Sequence, residues 1–431
     1  MYYGIALSID EAKALQELEA LLWESKALNK GDTIPVATNG TPNSTMGFSV
    51  ADNTIISISV RNCALTSLPA SFGLLTHLQQ IDITSNQLTA LPDSFGNLLQ
   101  LKKLYADDNQ LASLPASIGA LGQLEEVHLD HNQLTTLPDS ISQLVRLKTL
   151  SLYHNRLAAV PPGITQLTHL EHISLGHNQL TTLPASFWQL LNLRSLNIAE
   201  NQLPSLSEDI ANLTRLRMLD AGHNNLISLP ASLGKLSHLS DFLYLHNNQL
   251  TSLPASLFER LDGLRYLNIS DTQLTFLPEQ IGRLTNLQEL RMYNNALTTL
   301  PESLGNLANL LEVHAKNNRL QSLPTSLGRL AQLKELHASD NRLTTLPESL
   351  GDLSSLTHLD LRNNHLQALP TSIGNLGRLT HLDLRGNKLV SLPACIEHLP
   401  HLEKLDLRWN KLHTYPAWLR QLELRGCVVF T

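Results

Sequence analysis

Hydrophobic positions in this chain recur with a fixed spacing of 23 residues. Residues 78–100 read LQQIDITSNQLTALPDSFGNLLQ and residues 101–123 read LKKLYADDNQLASLPASIGALGQ, so the unit is LxxLxLxxNxLxxLPxx(I/L/F)GxLxx. Counted from the first leucine, positions 4 and 6 are apolar and alternate with polar neighbours. A period of two places both on one face of a short strand. Stacked about 4.8 Å apart, such strands form a parallel sheet. Position 9 is asparagine from Asn86 to Asn410 except at Thr272. The chain turns there, and the buried backbone groups of a turn need partners. An amide both donates and accepts, so a ladder of asparagines can serve neighbouring turns. Leu-Pro at positions 14 and 15 starts the return path, because proline biases the residue before it towards extended backbone. Only Ser207 interrupts that proline column in the complete repeats. So short a return predicts irregular or 3₁₀ turns on the convex side and moderate curvature. The expected class is an α/β solenoid.

One unit earlier, Ile55, Ile58, Val60, Cys63 and Leu65 fill the same slots; one unit later, Leu419, Leu422, Leu424, Cys427 and Val429 do so. This predicts about 17 strands, with cysteines replacing asparagine at both ends. End repeats expose core and need caps. Residues 1–54 are expected to form an N-terminal helical and hairpin cap, and residues 55–431 the solenoid with a truncated last repeat. A helix is predicted over 8–28, with Ser8 and Glu11 as a capping box, Leu15, Leu18 and Leu22 as its apolar stripe, and Asn29-Lys30-Gly31 as its stop. Residues 37–45 read as a loop, and Phe48–Val50 with Ala51-Asp52-Asn53 as a hairpin that blunts the sheet edge. The C-terminal cap looks thin. The register breaks at two 24-residue intervals, Asn224 to Asn248 and Asn248 to Thr272. Convex loops tolerate such insertions, and a local bend that tilts the strands and deepens the groove is the functional alternative.

Composition narrows the function. Hydrophobic residues are 42% but aromatics only 5%, so aliphatic side chains fill the core. A net charge of −7 argues against a general nucleic-acid or anionic-membrane binder. Three cysteines, Cys63, Cys395 and Cys427, make no disulfide framework and fit a reducing compartment. No basic segment followed by a long apolar run starts the chain, and no apolar stretch suits membrane insertion, so a cytoplasmic location is expected. The sequons Asn43-Ser44-Thr45 and Asn268-Ile269-Ser270 matter only in a secreted protein.

The in-register units over residues 55–429 resemble the leucine-rich-repeat family, specifically its 23-residue intracellular class with LPxx(I/L)GxL, as in Ras-associated scaffolds and plant intracellular Ras-group-related repeat proteins. The resemblance implies a right-handed horseshoe that binds protein on its concave sheet. Effector repeats of the ubiquitin-ligase type are shorter.

Positions 3, 5, 7 and 8 project outward from the strands and their rim, and they collect aromatic and histidine residues. The expected partner-binding residues are Tyr105, His128, Tyr153, His172, Phe242, Tyr244, Tyr266, Tyr293, Arg362, Arg385, Arg408 and Trp409. Tyrosine and tryptophan bury area at little entropic cost; half-exposed strand positions also favour aromatics for structural reasons. Tyr244 and Tyr266 are expected to face solvent. Acidic residues such as Asp107, Asp108, Glu125, Glu126 and Asp130 gather N-terminally. Arg291, Lys316 and Lys404 join the arginines C-terminally, interleaved with Asp360, Asp383 and Asp406. A two-signed surface suits a protein partner, or is a solvated face of offset Asp–Arg pairs. His131, His154 and His177 at position 8, followed by Glu200 and His223, could share an ion, although a histidine before the asparagine is ordinary in this family. No metal or cofactor is expected.

No phosphate loop, kinase signature or nucleophile setting is present. The expected function is a protein-interaction scaffold regulating intracellular signalling. The alternatives are a host-directed effector binding a foreign protein and a metal-binding histidine ladder.

Overall fold

The computed structural model describes residues 4–37 and 46–431; most of the loop expected over 37–45, with the Asn43 sequon, lies outside these. The chain divides into two units, Met1–Leu203 and Pro204–Thr431.

In the first unit, Ser8 caps the helix Ile9–Glu24 and forms the expected capping box with Glu11. The Glu11 carboxylate, itself buried, also accepts the Ile55 N–H at 2.8 Å, tying the helix to the first repeat strand. Leu15, Leu18 and Leu22 are fully buried. The helix stops short of the expected residue 28 because Lys26 turns to a left-handed φ of 63° and the Leu28 N–H folds back to the Leu22 carbonyl. Met46–Ala51 and Thr54–Val60 pair antiparallel through Asp52 and Asn53, whose φ values of 50° and 60° are those of a tight two-residue hairpin turn. From Thr54–Val60 to Ser195–Asn197, seven described strands pair parallel.

In the second unit, ten described strands pair parallel from Met218–Asp220 to Val428–Phe430. The extra residue before Phe242 is absorbed ahead of the strand, where the Ser240 and Asp241 N–H groups both donate to the Arg217 carbonyl. The second lies on the convex side, where Phe258 is fully buried. Strands Met218–Asp220, Phe242–Tyr244, Tyr266–Asn268 and Glu289–Arg291 keep an unshifted pairing, so the insertions leave the ladder regular.

Positions 4 and 6 are buried in every complete repeat, as in Ile81/Ile83 and Leu359/Leu361. Each complete return path is a 3₁₀ helix entered from extended proline, for example Pro115 at φ −66°, ψ 147°. Ser207 keeps that conformation, and its hydroxyl accepts the Asp209 N–H, replacing proline's rigidity by a hydrogen bond. Adjacent 3₁₀ turns pack through a glycine on one and a serine on the next. A Cβ added at Gly305 would lie 2.3 Å from the Ser326 carbonyl oxygen. Cys395 takes the serine slot against Gly374. Cys63 fills the asparagine slot it was expected to fill: its N–H donates to Asn86 Oδ1 and its thiol to the Arg61 carbonyl. Burial pushes that thiol's pKa up to about 11.

The C-terminal expectation is corrected. Residues Leu419–Leu424 form a short α-helix, not a strand, and the last strand is Val428–Phe430 with Val429 opposite Leu405. Leu419 and Leu422 are buried, Leu424 is 71% exposed, and Cys427 precedes the strand instead of joining the asparagine ladder.

Candidate functional site

Each three-residue strand except the last, Val428–Phe430, buries its central side chain and turns positions 3 and 5 to the opposite face, where they are half-buried or exposed in nearly every repeat. On the first unit, Tyr105 donates its hydroxyl to Glu126 at 2.8 Å and lies 5.1 Å, ring to ring, from His128. Tyr153 donates to Glu200 and meets His131 edge-on. His131, His154 and His177 stack at 4.6 and 4.1 Å, and His177 Nδ1 is 2.6 Å from Glu200. His172 is exposed on its own strand. Stacking sets these imidazoles face to face instead of converging their nitrogens on a common point. Among the described residues, the three-ligand group whose donor atoms do converge is Glu289, Glu312 and His314 in the other unit.

On the second unit three expected residues form one cluster. Phe242 stacks on Tyr244 at 5.8 Å and meets Tyr266 at 5.7 Å, while Tyr244 and Tyr266 are 5.0 Å apart. The Arg291 guanidinium lies over Tyr266 at 5.6 Å. Phe242 remains 42% exposed. Tyr244 and Tyr266 are half-buried, which corrects the expectation that they simply face solvent. Burial raises the pKa of both phenols, most strongly at Tyr266, with Asp220 adding to the effect at Tyr244. Beside the cluster is a recess of about 340 Å³ lined by Arg217, Asp241, Phe242, Arg265, Tyr266, Gln288 and Glu289. Arg217 and Arg265 share a single Asp241 oxygen, at 3.4 and 2.9 Å. Tyr293 lies two residues beyond the strand Glu289–Arg291 and carries Lys316 over its ring at 5.0 Å.

The C-terminal arginines stand apart from this cluster. Arg362, Arg385 and Arg408 each pair with the aspartate two residues before, Asp360, Asp383 and Asp406. Burial raises the Asp383 pKa, and the aspartates on either side add to the shift. Trp409 is 73% exposed beside Arg408. Sequence reasoning missed the recess and the position-3 glutamates of the second unit. The available signal was the repetition of Glu289, Glu312 and Glu335 in three consecutive units.

A parallel stack of 23-residue strand–turn–3₁₀ units with an outward-facing strand surface defines a repeat solenoid. The chain belongs to the leucine-rich-repeat family: the leucine-rich repeat region profile matches residues 255–341 and 325–424, and leucine rich repeat profiles match 54–111, 145–203, 168–226 and 123–144. It is similar to the solved structure of a Leptospira interrogans leucine-rich-repeat protein, at 35% identity over 86% of this chain and 94% of that one, with a TM-score of 0.78. It is also similar to YopM, a leucine-rich effector protein from Yersinia pestis, at 30% identity, covering 82% and 88% of the two chains with a TM-score of 0.58. A plant peptide hormone receptor in complex with RGF2 is 25% identical over 84% of this chain and 64% of that one, with a TM-score of 0.68. No curated protein matches the chain. No described helix is long and apolar enough to cross a membrane.

Proposed function

We propose that this chain is a non-catalytic protein-interaction module that takes a protein partner on the strand face of residues 204–431, anchored by Phe242, Tyr244 and Tyr266. The observation that carries the reading is the aromatic cluster itself: three rings in mutual contact, one substantially exposed, ringed by Arg217, Asp241, Arg265 and Arg291. Aromatic anchors within a polar and charged rim have the composition of binding hot spots. A partner crosslinked to the full chain and then purified is the reagent for the test. Tyr244→Ala with Tyr266→Ala is expected to weaken its binding at least about tenfold, while the convex pair Ser303→Ala and Ser326→Ala leaves it unchanged. Both rings pack on neighbours, so the comparison is made where circular dichroism shows the variant folded. Binding lost only in the convex variant moves the site to the other side.

Within this reading, the 23-residue LPxx(I/L)GxL unit favours regulation of a cytoplasmic signalling protein, as the intracellular repeat class does. A second reading, an effector directed at a host protein, is favoured by the 30% identity to an effector. Export of the tagged chain into the medium or into co-cultured host cells supports the second reading; retention in the producing cell supports the first.

A further inference from the structure

Three consecutive strands of the second unit place glutamate in register: Glu289 opposite Glu312, and Glu312 opposite Glu335. Like charges directly opposite in a sheet repel. Two residues further along the same strands stand Arg291, His314 and His337. Arg291 pairs with Glu289 at 2.5 Å, and the two imidazoles stack at 4.7 Å. His337 Nε2 lies 3.0 Å from Glu335, so Arg291 and His337 serve the two ends of the column and the His314 nitrogen its middle.

The donor atoms meet around His314. Its Nε2 is 3.0 Å from Glu312 Oε2 and 3.8 Å from Glu289 Oε1. Donors about 2.0–2.1 Å from a tetrahedral ion lie roughly 3.3 Å apart, and the two separations fall on either side of that spacing. We propose that Glu289, Glu312 and His314 form a binding site for a divalent transition-metal ion of the zinc class. An imidazole among carboxylates selects zinc over calcium or magnesium, which prefer oxygen alone. Three protein ligands leave a fourth position. All three residues are half-buried on the outward strand face, so that position is open to water or to a partner's side chain. A metal-binding Nε2 carries no proton; the proton is held at Nδ1 or released to solvent, so affinity falls at acid pH. Arg291 competes for the Glu289 carboxylate.

Zinc chloride titrated calorimetrically into the full chain, with cobalt(II) absorption as a second readout, tests the site. One saturable equivalent is expected, weakened at least about tenfold in each of Glu289→Gln, Glu312→Gln and His314→Asn, by loss of a ligand. Arg291→Gln is expected to bind zinc more tightly than the parent chain, an outcome that loss of folding cannot imitate. Magnesium gives no binding. The proposal is overturned if the chain takes up no zinc, or if the three ligand variants bind as the parent does. Zinc that survives in those variants but is lost in His154→Asn places the ion on the stacked histidines of the other unit and equally overturns it.

Discussion

Asn178 sits in the middle of the asparagine ladder and allows its contribution to be worked out atom by atom. Its Nδ2 donates to the carbonyls of Leu152, Leu175 and Gly176, each at 3.0 Å, and its Oδ1 accepts the Leu157 N–H at 2.9 Å. Substitution by leucine removes all four bonds from a buried site. Three of the four partners keep another donor. Asn155 still reaches the Leu152 carbonyl at 3.2 Å, Asn201 the Leu175 carbonyl at 2.9 Å, and the His154 N–H the Gly176 carbonyl at 2.9 Å. Only the Leu157 N–H loses its acceptor outright. The expected destabilisation is therefore about 1–3 kcal/mol, the cost of one orphaned buried amide, and not several times that. Denaturant unfolding measures the total, and native-state hydrogen exchange measures the mechanism, because the Leu157 amide should lose protection more than amides several repeats away. An unchanged midpoint together with an equally protected Leu157 amide would refute the argument. A loss well above this range would show that the ladder acts as a cooperative unit and that the redundancy described is not real.

Gly305→Ala should destabilise by about 1–3 kcal/mol, since its Cβ would sit 2.3 Å from the Ser326 carbonyl oxygen and the next 3₁₀ turn would have to shift. Gly377→Ala, with nothing within 4 Å of the new atom, should be neutral or stabilise slightly; equal effects in thermal melts would remove the convex packing argument. Burial lowers the folded pKa values of His314 and His381 below their ordinary 6.5, with the neighbouring His358 adding to the shift at His381. The unfolded chain then binds protons first as pH falls, so these groups favour the folded state fully above 6.5 and progressively less below it. The urea midpoint should fall between about pH 7.5 and about pH 5.5, and fall less in His314→Asn; an identical pH slope in that variant would rule His314 out as a contributor.

The solenoid was legible because one pattern recurs in register, and agreement among copies outweighs the ambiguity of any single copy. Ambiguity returned where copies ran out. Leu419, Leu422 and Leu424 match the strand spacing, but a three-residue apolar step also suits one face of a helix. The structure resolves this as a helix, ended where Gly426 turns to a φ of 94°. The aromatic anchors were legible as a group, because Phe242, Tyr244, Tyr266 and Tyr293 occupy three neighbouring units around the register break; which rings touch is set by the pairing of Phe242 with Tyr266 across strands. The position-3 glutamates read as ordinary solvated charges. Their meaning lies in the register that sets Glu289, Glu312 and Glu335 opposite one another, and in the His314 nitrogen two residues along.

The histidine enrichment needs a different explanation at position 8 than at positions 3 and 5. From Ser85 to Trp409, most position-8 residues have a φ between 50° and 60°, among them His131, His154, His177 and His223. Asparagine, aspartate and histidine tolerate this left-handed conformation better than most residues. The backbone thus accounts for Asp108, Asn294, Asp340 and these histidines without any ligand, and Gly386 belongs to the same series. Residues such as Tyr244, Tyr266 and His314 carry no such requirement, so the functional signal rests on them. Besides Ser85 and Glu200, Trp409 is the bulky exception within position 8. A bulky indole at φ 60° is strained by about 1 kcal/mol, and with 73% of its surface exposed, packing recovers little of that. Arg408 over its ring at 5.8 Å is a weak offset at an exposed site. Trp409→Asn should therefore stabilise the chain by up to about 1 kcal/mol in urea unfolding. If the variant also binds the partner less well, Trp409 is retained for contact at the expense of stability. A less stable variant would show that the indole holds the last repeats together and would remove it from the binding face.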